Sequence, residues 1–294
     1  MASFVYYLLI ISIAVVSAEA QSSSNSKALD SKQREILTDF YASTNGPNWA
    51  NGKGWLDNEV AVCNWFGITC NSGGEITSIE LEDNYLVGTC PSSIFELSSL
   101  LQINLRFNNI DISLTNIGNA TNLHTLILSD ANLWKLDGIG SAPALKSLHL
   151  TNNAITGTIP DELYQLTMLE ELYMNYNNFT GSLSSRIGQL QNLQFLYLYQ
   201  NELSGEIPTD IGQLTKLKEL ALGENHFTGS LPTEMMKLTQ LSILALQRAS
   251  QVSNVGISGE LPDFSSLVNL SVLDLSGNHF RVSVSLMLLA FVYS

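Results

Sequence analysis

The chain has 294 residues, 45% of them hydrophobic and 14% charged, which supports an extensive core with little surface charge. Its 27 acidic side chains outnumber the 13 basic ones, for a formal net charge of -14. A surface that negative repels phosphate backbones, so nucleic acid and anionic lipid are poor partners.

Residues 1–20 read as a secretory signal. "FVYYLLIISIAVV", Phe4 to Val16, is an apolar run too short to span a bilayer, and small-x-small exits follow at Val16-Ser17-Ala18 and Ala18-Glu19-Ala20. It lacks a basic n-region, and a buried N-terminal strand is the alternative. A secreted chain meets an oxidising compartment, and no direct membrane insertion of the mature protein is expected. Residues 21–75 follow as a cap. In "DSKQREILTDFYASTNG", Ile36, Leu37, Phe40 and Tyr41 form one apolar helical stripe closed by Asn45-Gly46. "PNWANGKGW" adds turn formers, with Trp49 and Trp55 suited to sealing a core end.

Residues 76–281 hold nine units of one pattern, the last incomplete. They open at Ile76, Leu100, Leu123, Leu145, Leu169, Leu193, Leu217, Leu241 and Leu270, with gaps of 24, 23, 22, 24, 24, 24, 24 and 29. Each reads L-x-x-L-x-L-x-x-N-x-L, often continuing G-x-I-P, as in "LQFLYLYQNELSGEIPTDIGQLTK". Period-two alternation predicts short strands with leucines on one face, stacked into a parallel sheet. Asn84, Asn108, Asn153, Asn177, Asn201, Asn225 and Asn278 end the strands, their amides satisfying backbone groups in the turn. Ala131 and Ala249 break this ladder twice.

These motifs resemble the plant-type extracellular leucine-rich repeat. The resemblance spans residues 34 to 280 and implies an α/β repeat solenoid, a right-handed superhelix with a parallel β-sheet on its concave face and a helical N-terminal cap. "CNWFGITC" resembles the end of such a cap, and the resemblance implies a disulfide between Cys63 and Cys70. Cys90, in "GTCP", stands where other units have Ile or Leu and reads as a small buried hydrophobe, with a reactive thiol as the alternative.

No catalytic motif emerges. His124, His149, His226 and His279 are scattered, with His226 and His279 on surface turns, and no metal site or cofactor is expected. Glu80, Glu82 and Asp83 share the exposed face of the first strand, but Arg106 takes the place beside Glu82, which predicts an ion pair rather than a Ca²⁺ site.

Counting each opening residue as position 1, positions 2, 3, 5, 7 and 8 face out of the concave sheet. That brings together Tyr173 and Tyr197 at position 5, with His149 on their flank, and sets Phe195 beside Glu171 at position 3. Tyr199 falls beside Asn175, and Tyr176 beside Gln200. Glu170, Glu171, Glu219 and Glu224 border the cluster, with Lys146 and Lys218 as exceptions. Tyr and Phe are good strand residues, but five on one exposed surface exceed what propensity requires, and such clusters anchor partners. Replacing Tyr173 and Tyr197 with alanine is expected to weaken ligand capture and leave the melting curve nearly unchanged.

The eighth unit stretches Leu246–Ile257 with "QRASQVSNVGIS", a rim loop. Three sequons, at Asn119, Asn178 and Asn269, fit a glycoprotein. The apolar tail, 282–294, reads either as a lid on the last repeat or as the end of a fragment. The resemblance implies a secreted or cell-surface, non-catalytic recognition module that binds a peptide or protein, with a co-receptor as a further partner. Two alternatives stand beside it: an inhibitor of a wall-degrading enzyme, resembling the polygalacturonase inhibitors, and a polysaccharide-adhering wall protein.

Overall fold

The computed structural model describes residues 29–248 and 256–281. The signal-like stretch, the apolar tail and most of the eighth-unit insertion, with Ala249, lie outside them.

A parallel sheet of short strands follows directly from the repeat. Its strands are Ile76–Glu80, Gln102–Asn104, Thr125–Ile127, Ser147–His149, Glu171–Tyr173, Phe195–Tyr197, Glu219–Ala221, Ile243–Ala245 and Val272–Asp274, each paired with the next. A tenth strand, Ile68–Cys70, pairs antiparallel with Ile76–Glu80. The leucine pattern carries no sign of it, because this edge is closed by a cap hairpin rather than by another repeat. Inside each turn the apolar positions lock together. Leu193, Leu196, Leu198 and Leu203 are no more than 1% exposed, and each such side chain contributes about 2 kcal/mol of burial.

The opposite side of the coil is built from 3-10 segments and smaller sheets. Thr156–Thr158, Asn178–Ser182, Glu202–Glu206 and His226–Thr228 form a four-stranded parallel sheet. His226 therefore opens a strand of this sheet and His279 one of a separate two-stranded sheet with Ser258–Glu260, not turns, because the chain extends again directly after the ladder asparagine. Among the described residues, the α component of the expected α/β fold is confined to the cap helix, residues 29–43.

The asparagines explain why the units stack in step. Asn201 Nδ2 donates to Met174 O and Leu198 O, both at 3.0 Å, while its Oδ1 accepts from Phe179 N at 3.0 Å. One amide thus ties its own strand to the preceding unit twice. Asn177 and Asn225 repeat the arrangement, and Asn108, Asn153 and Asn278 follow it. Asn84, at the first unit, turns instead to the cap and exchanges bonds with the Asn51 backbone.

The cap seals the first repeat with aromatic rings. Trp49 and Trp55 lie 4.7 Å apart edge to face, Phe40 packs on both, and Trp65, which the sequence pattern did not single out, extends the stack. Asn45 turns the chain out of the helix at φ 61°, and Gly46 follows because a Cβ there would sit 2.3 Å from the Tyr41 ring. Cys63 and Cys70 are joined by a disulfide, and Cys90 is buried with its thiol pushed up by desolvation, which leaves it unreactive.

Candidate functional site

Register decides what faces what on the concave sheet. His149 aligns with Tyr173, Tyr173 with Tyr197, and Tyr197 with Ala221. Strands about 4.8 Å apart bring such rings into contact. His149 and Tyr173 meet edge to face with centroids 4.5 Å apart, and Tyr173 and Tyr197 do so at 4.8 Å. Tyr199 continues the chain, 6.1 Å from Tyr197 and 5.2 Å from Tyr176. Five rings form one continuous run across three strands and their exits, each partly or largely open to solvent.

Tyr176 reaches its place through an unusual backbone. In seven successive units the residue at position 8 has positive φ: Asp83, Phe107, Asp130, Asn152, Tyr176, Gln200 and Glu224, between 48 and 57°. Polar side chains tolerate this left-handed turn, but a bulky one is strained there. Tyr176 adopts it at φ 57° and stands 45% exposed at the end of the strand.

The row at position 3 supplies charge. Phe195 lies in register with Glu171 on one side and Glu219 on the other. The Glu171 carboxylate accepts from Ser147 Oγ and His149 Nε2, the latter at 2.9 Å, while Tyr197 donates its hydroxyl to Glu219 Oε2. Burial alone would raise the Glu171 carboxyl. The bonds from Ser147 and His149, with the histidine's charge, outweigh it and hold the carboxyl below its usual range. The phenols move the other way. Burial, then the charges of Glu171 and Glu219, push Tyr173 up to about 12. Tyr197 is raised by burial and by its bond to Glu219, and Tyr199 by burial and by Tyr176. All three are neutral hydrogen-bond donors at ordinary pH.

Ser147, His149 and Glu171 invite a catalytic reading, and their geometry argues against it. A triad needs the imidazole to bridge nucleophile and acid through its two different nitrogens. Here Ser147 and Glu171 both approach Nε2, at 3.0 and 2.9 Å, and the serine gives its hydrogen to the carboxylate. The three form a polar brace beneath the rings. Ser147 itself was missed, although its place 24 residues before Glu171 follows from the period.

Two expectations are corrected. Arg106 pairs with Asp130 at 3.3 Å rather than with Glu82, whose carboxylate accepts from Asn104 at 2.9 Å. The guanidinium also stacks on Phe107, 4.1 Å away, so it leans toward the following unit. Asn175 is not an open neighbour of Tyr199 but 3% exposed, bonded to Thr151. Glu170 is held by Lys146 at 3.4 Å and Gln194 at 3.2 Å, so the acidic border is partly neutralised at position 2. Asn119, Asn178 and Asn269 are exposed, and Asn269 Nδ2 donates to Thr239 O. Among the described residues no group of His, Cys, Asp and Glu side chains could hold a metal, and no helix is long and apolar enough to cross a membrane.

The comparisons agree with this architecture. The leucine rich repeat N-terminal domain family matches residues 30–71, and leucine rich repeat families match 121–179 and 192–214. Receptor-like protein kinase 7 of Arabidopsis thaliana is 33% identical over 135 residues, covering 45% of this chain and 12% of that protein. The chain thus spans about an eighth of such a relative. The plant peptide hormone receptor RGFR1, solved in complex with RGF2, superposes with a TM-score of 0.64 at 32% identity, over 68% of this chain and 32% of that one. The Arabidopsis receptor kinase HAESA, solved with the peptide hormone IDA and the co-receptor SERK1, gives 0.62 at 27%, over 85% and 50%. The chain carries leucine-rich repeats behind a leucine-rich repeat N-terminal cap, and both are similar to those of plant receptor ectodomains.

Proposed function

We propose that the chain is an extracellular, non-catalytic recognition module that binds a peptide on its concave face, through Tyr173, Tyr176, Phe195, Tyr197 and Tyr199 with His149 and Glu171. The observation that carries this reading is the continuous run of partly exposed rings at spacings of 4.5 to 6.1 Å, pre-assembled on a rigid sheet. Rigid tyrosines offer large contact area, few rotors to freeze and a hydroxyl each. The neighbouring receptors, solved with peptide hormones, support a peptide as the class of ligand. A co-receptor, as in the HAESA complex, is a further partner in this reading.

The test is selection from a displayed library of random peptides on the immobilised wild-type protein. Recovered peptides should bind Tyr176→Ala and Tyr199→Ala at least about tenfold more weakly, the loss of about 1.4 kcal/mol that one aromatic anchor supplies. Recovered peptides that bind both variants as well as wild type would remove the patch from the account.

A further inference from the structure

We infer that the concave site selects a peptide carrying an arginine, whose guanidinium lies over Phe195 between Glu171 and Glu219. This rests on the concave-face reading above and adds the chemistry of the ligand.

The row at position 3 alternates carboxylate, ring, carboxylate across three neighbouring strands. Both hydrogen bonds recorded for the Glu171 carboxylate fall on Oε2, and the one to Glu219 also falls on Oε2. Each carboxylate therefore keeps a second oxygen for an incoming donor. Both sit beside the same aromatic face. A cation is attracted to such a face, most strongly when carboxylates share the site.

The protein already samples this chemistry with its own side chain. Lys218 comes from the neighbouring position 2, and its Nζ lies 5.9 Å from the Phe195 ring centroid. Among the described residues this ammonium makes no ion pair. It is exposed and on a flexible stem, a placeholder that a better-fitting cation can displace. A planar guanidinium fits better than an ammonium, because it can stack on the ring while its forked N–H groups reach a carboxylate on either side. The tyrosines favour the same occupant. Tyr197 spends its hydroxyl hydrogen on Glu219 and presents ring, and the Tyr173 hydroxyl has no hydrogen-bond partner among the described residues. The overall charge of -14 steers basic peptides toward the molecule before they dock.

The experiment uses the full chain and a displayed random 12-residue peptide library. Binders are divided by whether Tyr176→Ala and Tyr199→Ala weaken them. The tyrosine-dependent set should be enriched in arginine, more than in lysine, over the unselected library. One synthetic member is then titrated against two charge-matched variants. Glu171→Gln with Glu219→Gln should weaken it about tenfold, whereas Glu202→Gln with Glu206→Gln, exposed on the second sheet, should stay within about twofold. Far-ultraviolet circular dichroism confirms that both variants are folded. Equal weakening by the two variants would reduce the effect to bulk charge and overturn the inference. Tyrosine-dependent binders without arginine enrichment would overturn it too, while leaving the concave site standing. Binders indifferent to the tyrosines would remove the site and the cation together.

Discussion

Asn201→Ala is the substitution that ties the fold to the site most tightly. Its amide spans the two units that carry Tyr173 and Tyr197, so its loss should loosen the strands that set the rings in line. The side chain is 6% exposed and makes three backbone hydrogen bonds of 3.0 Å, to Phe179 N, Met174 O and Leu198 O. Each is worth about 1 kcal/mol net, and a buried partner left unsatisfied costs about 1–3 kcal/mol. Water entering the vacated space recovers part of that. The expected loss is therefore about 3–4 kcal/mol, a large share of a domain's usual 5–15 kcal/mol. Urea unfolding followed by circular dichroism measures it, and hydrogen exchange at the Phe179 amide locates it. Asn201→Asp should be no better than alanine, because it keeps the acceptor for Phe179 N but sets negative charge against two carbonyl oxygens. A loss below about 1 kcal/mol for Asn201→Ala, with Phe179 still protected, would refute the idea that the ladder sets the register.

Other outcomes follow from the same geometry. A double-mutant cycle between Tyr173 and Tyr197 should return a coupling of about 0.5–1.5 kcal/mol in thermal unfolding, the usual value for an edge-to-face pair; additive effects would deny the contact. Glu171 is held below the ordinary carboxyl range, so its stabilisation is present above the unfolded value and disappears as pH falls through the lowered folded value. Wild type should therefore lose its stability advantage over Glu171→Gln as pH falls below the ordinary carboxyl range, and a difference independent of pH would contradict the brace. Reducing the Cys63–Cys70 bridge removes a short loop closure and should cost about 2–3 kcal/mol in unfolding experiments; an unchanged melting temperature would contradict that. In alkaline spectrophotometric titration, Tyr173→Phe should remove one phenol ionising at about 12.

The sequence carried the repeating parts well and the particular ones poorly. Period and alternation placed Tyr173 beside Tyr197 and Phe195 beside Glu171, because in-step stacking turns a spacing of 24 residues into lateral contact. The asparagines were equally legible, since a strand that ends must satisfy its backbone. What failed was the direction of long side chains. Arg106 stacks on Phe107 and pairs with Asp130 in the following unit, while Glu82 is taken by Asn104, and spacing alone does not say which way so long a side chain turns. The cap strand Ile68–Cys70 obeys no repeat and so left no periodic trace. Ring contacts between neighbours were also underrated. Tyr173 and Tyr197 brace one another, His149 and Glu219, so their joint replacement by alanine should lower the melting temperature as well as ligand capture. These contacts replace the expectation of an unchanged melting curve with that of a lowered one, and they are why single substitutions at the more exposed Tyr176 and at Tyr199 test binding more cleanly.

The central claim is that ligand docks on the tyrosine run, and hydrogen exchange with mass-spectrometric detection addresses it most directly. With a recovered peptide at saturation, segments containing residues 171–176 and 195–200 should exchange more slowly than in the free protein. Slowing confined to the second-sheet strands Glu202–Glu206 and His226–Thr228, with none at residues 171–176, would place the ligand on the other side of the coil and contradict the account.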